Sequence, residues 1–341
     1  MSDLVLVTGA SGYLAGHVIE ELQGQGYRVR GTVRSLARAA ELGNLAGVEL
    51  VAADLDSDAG WAEAVAGCRF VVHTASPFPA AEPEHEDELV RPAVDGVLRV
   101  LRAAVAAGVQ RVVLTSSVAA VMIGNSDRVG TAADWSDVNA CNAYEKSKTL
   151  AERAAWDFAA AHPELELTAI NPGMILGPVQ RAATGTSVDA VRILLAREMP
   201  GIPDFGFATV DVRDVAVAHR LAMELPQAVG NRYICAGEHV PLPEMARMLA
   251  ESYRIPTRVL PDWLVRVVAR FNPAARTAAR YLGRTERVSA DRTRADLGWT
   301  MRPIRETLLD TAASLIEFGL VADPGAPRGQ APRTSTRRAV A

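Results

Sequence analysis

The opening of the chain limits its fold more than any other stretch. Leu4-Val5-Leu6-Val7 is a continuous apolar run, as a parallel strand covered on both faces requires. It leads into Thr8-Gly9-Ala10-Ser11-Gly12-Tyr13-Leu14-Ala15-Gly16, after which residues 17–23 read as a helix. Strand, glycine turn and helix N-terminus in this order let the backbone turn tightly and approach a pyrophosphate, whose charge then meets the unsatisfied helix N–H groups. The third glycine position of the usual dinucleotide fingerprint is Ala15, still small enough for close helix–strand packing. Residues 27–33 follow as a second strand at βαβ spacing. The pattern predicts an α/β fold with a Rossmann-type doubly wound parallel sheet.

The alternation continues along the chain. Residues 48–52, 70–73, 111–115 and 167–171 read as further strands, with a short helix at 61–65. Residues 91–107 carry Val94, Val97, Leu98, Leu101 and Val105 on one face of an amphipathic helix that Gly108 ends. The acidic cluster at 82–88 suits a solvated loop or a helix start. Regular alternation stops at residues 177–206 and returns at 209–224, where Asp214 is expected as the N-cap and Arg213 as a structural residue. The expected division is a nucleotide-binding domain at 1–176 and 207–237 and a smaller, mainly helical substrate lobe at 177–206 and 238–321. The Pro-, Gly-, Arg- and Ala-rich stretch 322–341 is expected to be a mobile tail. Within the lobe, the amphipathic segment 262–270 reads as a solvated helix, with the rim of a substrate cleft or a partner contact as alternatives.

Ligands of open α/β sheets bind beyond the carboxyl ends of the strands, so chemistry is sought there. The turn Thr8, Gly9, Ser11, Gly12, Tyr13 and Leu14 is the phosphate cradle. The second strand ends in Arg34 rather than an acid, and Arg38 follows one helical turn on. Two guanidinium groups there suit a ribose 2′-phosphate and point to NADP(H). Asp54 and Leu55 at the third strand end are placed to meet the adenine, and Thr74, Ala75 and Ser76 follow the fourth. His73, inside the fourth strand, reads as a core residue. Thr115, Ser116 and Ser117 close the fifth strand.

Then comes Tyr144-Glu145-Lys146-Ser147-Lys148. Of 36 basic residues, 34 are Arg, and both lysines fall inside these five positions. A Tyr four residues before a Lys is expected by chance about 0.04 times in such a chain. Four-residue spacing places Tyr144 and Lys148 on one helix face, where the ammonium lowers the phenol's pKa and holds a ribose while a strand-end Ser orients a carbonyl. Lys146 falls on another face, toward solvent or a partner. A nucleophilic serine is not indicated, because there is no GxSxG elbow.

These residues together resemble the extended short-chain dehydrogenase/reductases, and within them the dihydroflavonol reductase-like branch of aldehyde and ketone reductases. The resemblance spans residues 4–320. It rests on the glycine turn, Val33-Arg34-Ser35, residues 73–77 and 114–117, the run 144–156 (YEKSKTLAERAAW), Asn171-Pro172-Gly173 with Gly177-Pro178, and residues 210–219 (VDVRDVAVAH). It implies Ser117, Tyr144 and Lys148 as the catalytic set, with Ser116 in reserve. It also implies Pro172, Gly173 and Ile175 at the nicotinamide, Ser187 near the phosphates, and Ser76, Phe78, Met122, Ile123 and Met174 toward substrate. The chain departs from two specialised patterns. Met122 stands where plant dihydroflavonol reductases place an Asn, and Asn142-Ala143-Tyr144-Glu145 differs from the Trp- and Cys-containing surroundings in cinnamoyl-CoA reductases.

The implied activity is reversible NADPH-dependent reduction of an aldehyde or ketone to an alcohol, by a cytoplasmic monomer or homodimer. Alternatives are a hydroxysteroid dehydrogenase, an NAD-retaining sugar epimerase or dehydratase, and a cofactor-sensing regulator. The net charge of −4 gives no reason to expect nucleic acid or an anionic membrane. The apolar runs are strand-length, and no basic leader precedes the turn at Gly9. Three widely spaced Cys and six His without ligand spacing imply neither a disulfide framework nor a metal.

Overall fold

The computed structural model describes residues 3–39, 45–77, 83–124, 128–183 and 185–327, apart from the side chains of residues 273 and 274. The chain divides into two compact units. The larger comprises Met1–Ile175, Phe207–His239 and Thr285–Arg302, and the smaller Leu176–Gly206, Val240–Arg284 and Pro303–Ala341.

Seven strands form the sheet of the larger unit: β1 (Leu4–Thr8), β2 (Arg28–Val33), β3 (Glu49–Ala52), β4 (Phe70–His73), β5 (Arg111–Thr115), β6 (Glu166–Pro172) and β7 (Arg232–Cys235). Their order is β7-β6-β5-β4-β1-β2-β3, with every pair parallel. The helices of this unit are α1 (Tyr13–Gly24), α2 (Leu36–Ala39), α3 (Trp61–Val65), α4 (Asp87–Ala106), α5 (Ala143–Ala161), α6 (Val212–Glu224) and α7 (Asp291–Leu297).

The unbroken apolar run of β1 has a direct cause. Val5 and Val7 join one core cluster with Val18, Ile19 and Leu22 of α1 and Val215 and Met223 of α6. Leu4 and Leu6 join the other, with Trp61 of α3, Val97 and Leu101 of α4 and Ala155 of α5. Alternate side chains therefore enter two different cores. Chain direction across the sheet reverses at β1, which lies between β2 and β4. In register, Thr8 stands beside His73, His73 beside Leu114, and Thr115 beside Ile170, so the carboxyl ends share one edge.

Two buried strand arginines hold helix C-termini. Arg30 on β2 donates through Nη1 to the carbonyls of Glu63, Ala64 and Ala66 at the end of α3. Arg111 on β5 donates to the carbonyls of Ala222, Met223 and Leu225 at the end of α6, while its Nε pairs with Glu166 at 2.8 Å. Last-turn carbonyls lack helical partners, and cations are favoured there.

Several expectations need correction. Asp211, not Asp214, is the N-cap of α6; its Oδ1 accepts the Arg213 N–H at 2.8 Å, and Arg213 pairs with its carboxylate. Asp214 lies a turn further in and is buried, where it accepts the Arg302 N–H at 2.7 Å and pairs with the Arg302 guanidinium. Burial holds its carboxyl above the ordinary value. The segment Thr285–Arg302, expected in the lobe, belongs to the larger unit. The cause is burial of Trp299, whose indole N–H donates to the Asp214 carbonyl at 2.8 Å, together with Thr293, whose hydroxyl donates to the Ile234 carbonyl at 2.6 Å.

The smaller unit contains helices Thr186–Ala196, Leu242–Ala250, Asp262–Val268, Pro273–Tyr281 and Ile304–Glu317, with a short parallel pair of Ile202–Pro203 and Val259–Leu260. Residues 322–327, expected in the tail, are tied in: the Gly325 carbonyl accepts the Arg254 N–H, and the Pro324 carbonyl accepts the Arg197 guanidinium. Residues 328–341 of the expected tail lie outside the described residues.

Candidate functional site

The glycine turn joins β1 to α1 at the carboxyl edge. Gly9 has φ +66°, and a Cβ there would stand 3.0 Å from the Ala75 Cβ, so only glycine fits without strain. Its N–H donates to the Thr32 Oγ1 at 2.9 Å. Helix α1 starts at Gly12 with no side-chain cap and no acidic residue in its first turn. A helix start left without an acceptor of its own suits an anion.

The ends of β1 and β4 are laced together. The Thr8 Oγ1 accepts the Ala75 N–H at 3.0 Å and lies 2.8 Å from the His73 Nδ1, while the Thr74 hydroxyl donates to the Thr8 carbonyl at 2.6 Å. His73 is fully enclosed. Burial, with Lys148 adding to it, pushes the imidazole down to about 3, so the ring is neutral at physiological pH. Among the described residues, its Nε2 finds no hydrogen-bond partner.

Arg34 and Arg38 stand exposed just beyond β2. Among the described residues, neither guanidinium makes an ion pair or hydrogen bond. They differ in this from most arginines of the larger unit.

Helix α5 opens with a capping box. The Asn142 Oδ1 accepts the Glu145 N–H at 2.9 Å, and the Glu145 carboxylate accepts the Asn142 N–H at 2.7 Å. Tyr144 and Lys148 then stand one turn apart, with the Lys148 Nζ 6.0 Å from the Tyr144 ring centroid. Lys148 is buried and donates to the Ser76 Oγ at 2.9 Å. Burial lowers its ammonium from 10.5 to about 8, against the opposing charge of Glu152. Lys146 leaves by another face and pairs with Glu86 at 2.7 Å, an intramolecular contact where solvent or a partner was expected.

The two strand-end serines have different surroundings. The Ser117 Oγ accepts the Ala119 N–H at 3.1 Å and, among the described residues, keeps its own hydrogen to donate. The Ser116 hydroxyl donates to Glu152 at 2.5 Å and is committed there.

Glu152 is the residue that sequence reasoning missed. It is 1% exposed and ion-paired to Arg232 of β7 at 2.6 Å. Its carboxylate also accepts from the Asn171 Nδ2 at 2.8 Å and the Trp156 indole at 3.2 Å. Asn171 donates to the Ser117 carbonyl at 3.1 Å, and Arg232 lies 3.8 Å over the Trp135 ring. This network fixes the backbone behind Ser117. A signal was available: Tyr144, Lys148, Glu152 and Trp156 recur every four residues, which puts an acid on the lysine's own face.

The remaining expected residues are placed as follows. The Asp54 Oδ1 accepts the Asp56 N–H and its carbonyl accepts the Trp61 indole, while Leu55 packs close to Gly96 of α4. Ser11 and Tyr13 lie in the glycine turn, and the Leu14 and Ile175 side chains pack against a core cluster. Thr115 contacts the His219 Nε2 at 2.8 Å. Pro172 ends β6, and a Cβ on Gly173 would stand 2.1 Å from the Ala208 carbonyl oxygen, so the backbones meet too closely for a side chain. Met122 packs against the cluster of Val118, Val121 and Ile234, and the Ile123 N–H donates to Ser136. Met174 lies in the short strand after Gly173. Ser187 sits in the first turn of helix Thr186–Ala196 of the smaller unit. Phe78 lies outside the described residues. Among the described residues no group of three His, Cys, Asp or Glu side chains could hold a metal, and no helix is long and apolar enough to cross a membrane.

A parallel sheet whose strand order switches at a glycine turn defines a Rossmann-type dinucleotide-binding fold. The chain belongs to the NAD dependent epimerase/dehydratase family, whose model matches residues 5–236. It is 34% identical over 332 residues to cinnamoyl-CoA reductase 2 of Arabidopsis thaliana, covering 93% of each chain. It is 32% identical to the (2S)-flavan-3-ol-forming anthocyanidin reductase of Vitis vinifera, over 74% of this chain and 82% of the relative. Among solved structures it resembles yeast methylglyoxal/isovaleraldehyde reductase Gre2 complexed with NADPH, with a TM-score of 0.77, 28% identity, and 93% and 99% of the two chains covered. Vestitone reductase from alfalfa (Medicago sativa L.) matches with a TM-score of 0.72 and 27% identity over 93% and 99%.

Proposed function

We propose that the protein is an NADPH-dependent reductase of aldehydes or ketones, with Ser117, Tyr144 and Lys148 as its catalytic residues. The observation that carries this reading is Lys148, a buried ammonium one turn from Tyr144 in a chain with two lysines. The names of its relatives point the same way, since they are reductases and Gre2 is bound to NADPH.

The residues suit the dinucleotide. The uncapped start of α1 and Gly9 offer a pyrophosphate cradle, Arg34 and Arg38 two exposed guanidinium groups for the 2′-phosphate, and Ser76 and Lys148 polar contacts for a ribose. When bound, the reduced nicotinamide supplies a hydride to the carbonyl carbon. The Tyr144 hydroxyl donates a proton to the carbonyl oxygen, completing the alcohol. Ser117 hydrogen-bonds the same oxygen and stabilises the developing alkoxide. Lys148 holds positive charge beside the phenol, which favours the phenolate left after transfer, and Glu152 supports that charge. The larger unit is the nucleotide-binding body and the smaller one sets substrate preference. The protein acts in the cytoplasm as a monomer or homodimer, a setting that suits its free thiols Cys68, Cys141 and Cys235.

The test is Tyr144→Phe. Turnover of NADPH with small aldehydes should fall by roughly 10²–10⁴-fold, while NADPH binding followed by fluorescence changes little. Retained turnover removes Tyr144 as the proton donor. A screen of NADPH and NADH against aliphatic, aromatic, diketone and steroid carbonyls then sets the substrate class.

A further inference from the structure

The whole-chain charge conceals a local one. Residues 254–284 of the smaller unit hold seven arginines against one acid, Asp262, a net charge of +6 in a chain of −4. The rest of the chain therefore carries −10. All seven arginines are exposed.

The same segment turns apolar side chains outward. Trp263 is 66% exposed, Phe271 85%, Val267 44% and Val268 42%. Trp263, Val267 and Phe271 follow at four-residue intervals along the helix Asp262–Val268 and the turn that continues it. Val265, on the other side, is buried. This helix is therefore apolar inward and apolar outward, with arginines between, whereas a merely solvated helix keeps polar residues outside. After a turn capped by Asn272, helix Pro273–Tyr281 extends the arginine series.

We propose that this helical pair docks on an anionic lipid surface. Trp263 and Phe271 enter the headgroup region, and the arginines extend to lipid phosphates while their stems lie over the apolar side chains. Charge decides among the possible occupants. A second copy paired through the same face would bring two +6 surfaces together, which is repulsive. A lipid surface suits arginines spread along 31 residues because its headgroups rearrange to meet each one, and each adds to the attraction. The inference does not depend on the reductase reading, and it qualifies the expectation from net charge that an anionic membrane has no place here.

Flotation of the full chain with vesicles tests it, using phosphatidylcholine alone and mixed with equal phosphatidylglycerol. The protein should float with the anionic vesicles and stay behind with the neutral ones, and high salt should release it. The double variant Trp263→Ser, Phe271→Ser should lower the partition coefficient by roughly tenfold or more while aldehyde-dependent NADPH oxidation is kept. As a second route, Arg266→Gln with Arg270→Gln should give a loss of similar size. No flotation with anionic vesicles overturns the proposal, as does equal binding to neutral ones or undiminished binding by both variants. Self-association in sedimentation velocity that the Trp263–Phe271 variant abolishes, without vesicle binding, overturns it in favour of an interface between copies.

Discussion

The two edges of the seven-stranded sheet use the same residue to opposite ends. Arg30 and Arg111, toward the amino ends of β2 and β5, are buried and bonded to carbonyls of α3 and α6. Arg34 and Arg38, beyond the carboxyl end of β2, are exposed and find no partner among the described residues. Topology explains the difference. In a parallel sheet each crossover helix runs back against its strand, so helix C-termini collect at the amino edge and N-termini at the carboxyl edge. One edge presents carbonyl oxygens that arginines satisfy. The other presents N–H groups, and arginines added there deepen a positive field that an anion must complete. The amino edge is finished by the chain itself, whereas the carboxyl edge needs a ligand.

The contrast breaks most visibly at Arg111. Arg111→Met strips three carbonyls at the end of α6 and frees Glu166, so we expect a loss of roughly 3 kcal/mol or more in urea unfolding. Turnover per folded molecule should stay near wild type. A variant that unfolds normally but turns over poorly would mean the amino edge takes part in catalysis.

Arg34→Ala is the converse. Stability should barely move, because among the described residues no guanidinium bond is lost. NADPH affinity should fall by roughly 10–100-fold, as for a charge-assisted phosphate contact, with NADH affinity nearly unchanged. Arg38→Ala should act in the same direction with a smaller effect. Equal losses for both dinucleotides would show that these arginines do not read the 2′-phosphate.

How much of this could be read from the chain depends on the range of each interaction. The glycine turn, the strands and the Tyr144–Lys148 pair are legible because their residues are neighbours in sequence or recur at fixed helical spacing. Asp211 and Asp214 both precede apolar periodicity and so look alike as caps; Asp211 takes that place by accepting the Arg213 N–H, while Asp214 is engaged by Arg302, 88 residues away. Thr285–Arg302 could not be placed for the same reason, since Trp299 finds its carbonyl at the distant Asp214. Glu152 lies between these cases. Its place on the face of Lys148 was visible, but its pairing with Arg232, 80 residues on, was not. Arginines at the two edges look alike in sequence, and only the helix ends beside them separate those bonded to carbonyls from those left exposed.

The smallest expected change in activity, a shift in a pH profile, probes where the two kinds of charge meet, at Lys148 and Glu152. Burial disfavours its ammonium and lowers it to about 8, while Glu152 pulls the other way. Because the proton is held more weakly in the folded chain than in the unfolded one, stability should rise as pH increases from about 8 toward 10.5. Activity should move in the opposite sense, falling through about pH 8 as the ammonium beside Tyr144 is lost. Glu152→Gln keeps the volume and one acceptor oxygen but removes the charge that supports the ammonium, so the alkaline limb of kcat/KM should move to lower pH. Arg232 already offsets much of that charge, which limits the shift to roughly a unit or less. The variant also leaves Arg232 without its counter-charge, and unfolding should become easier by roughly 3 kcal/mol or more. A lost stability with an unmoved pH limb would assign Glu152 to the framework alone, whereas a limb that moves down would show that a charge satisfied within the fold also sets the protonation of the group at the open edge.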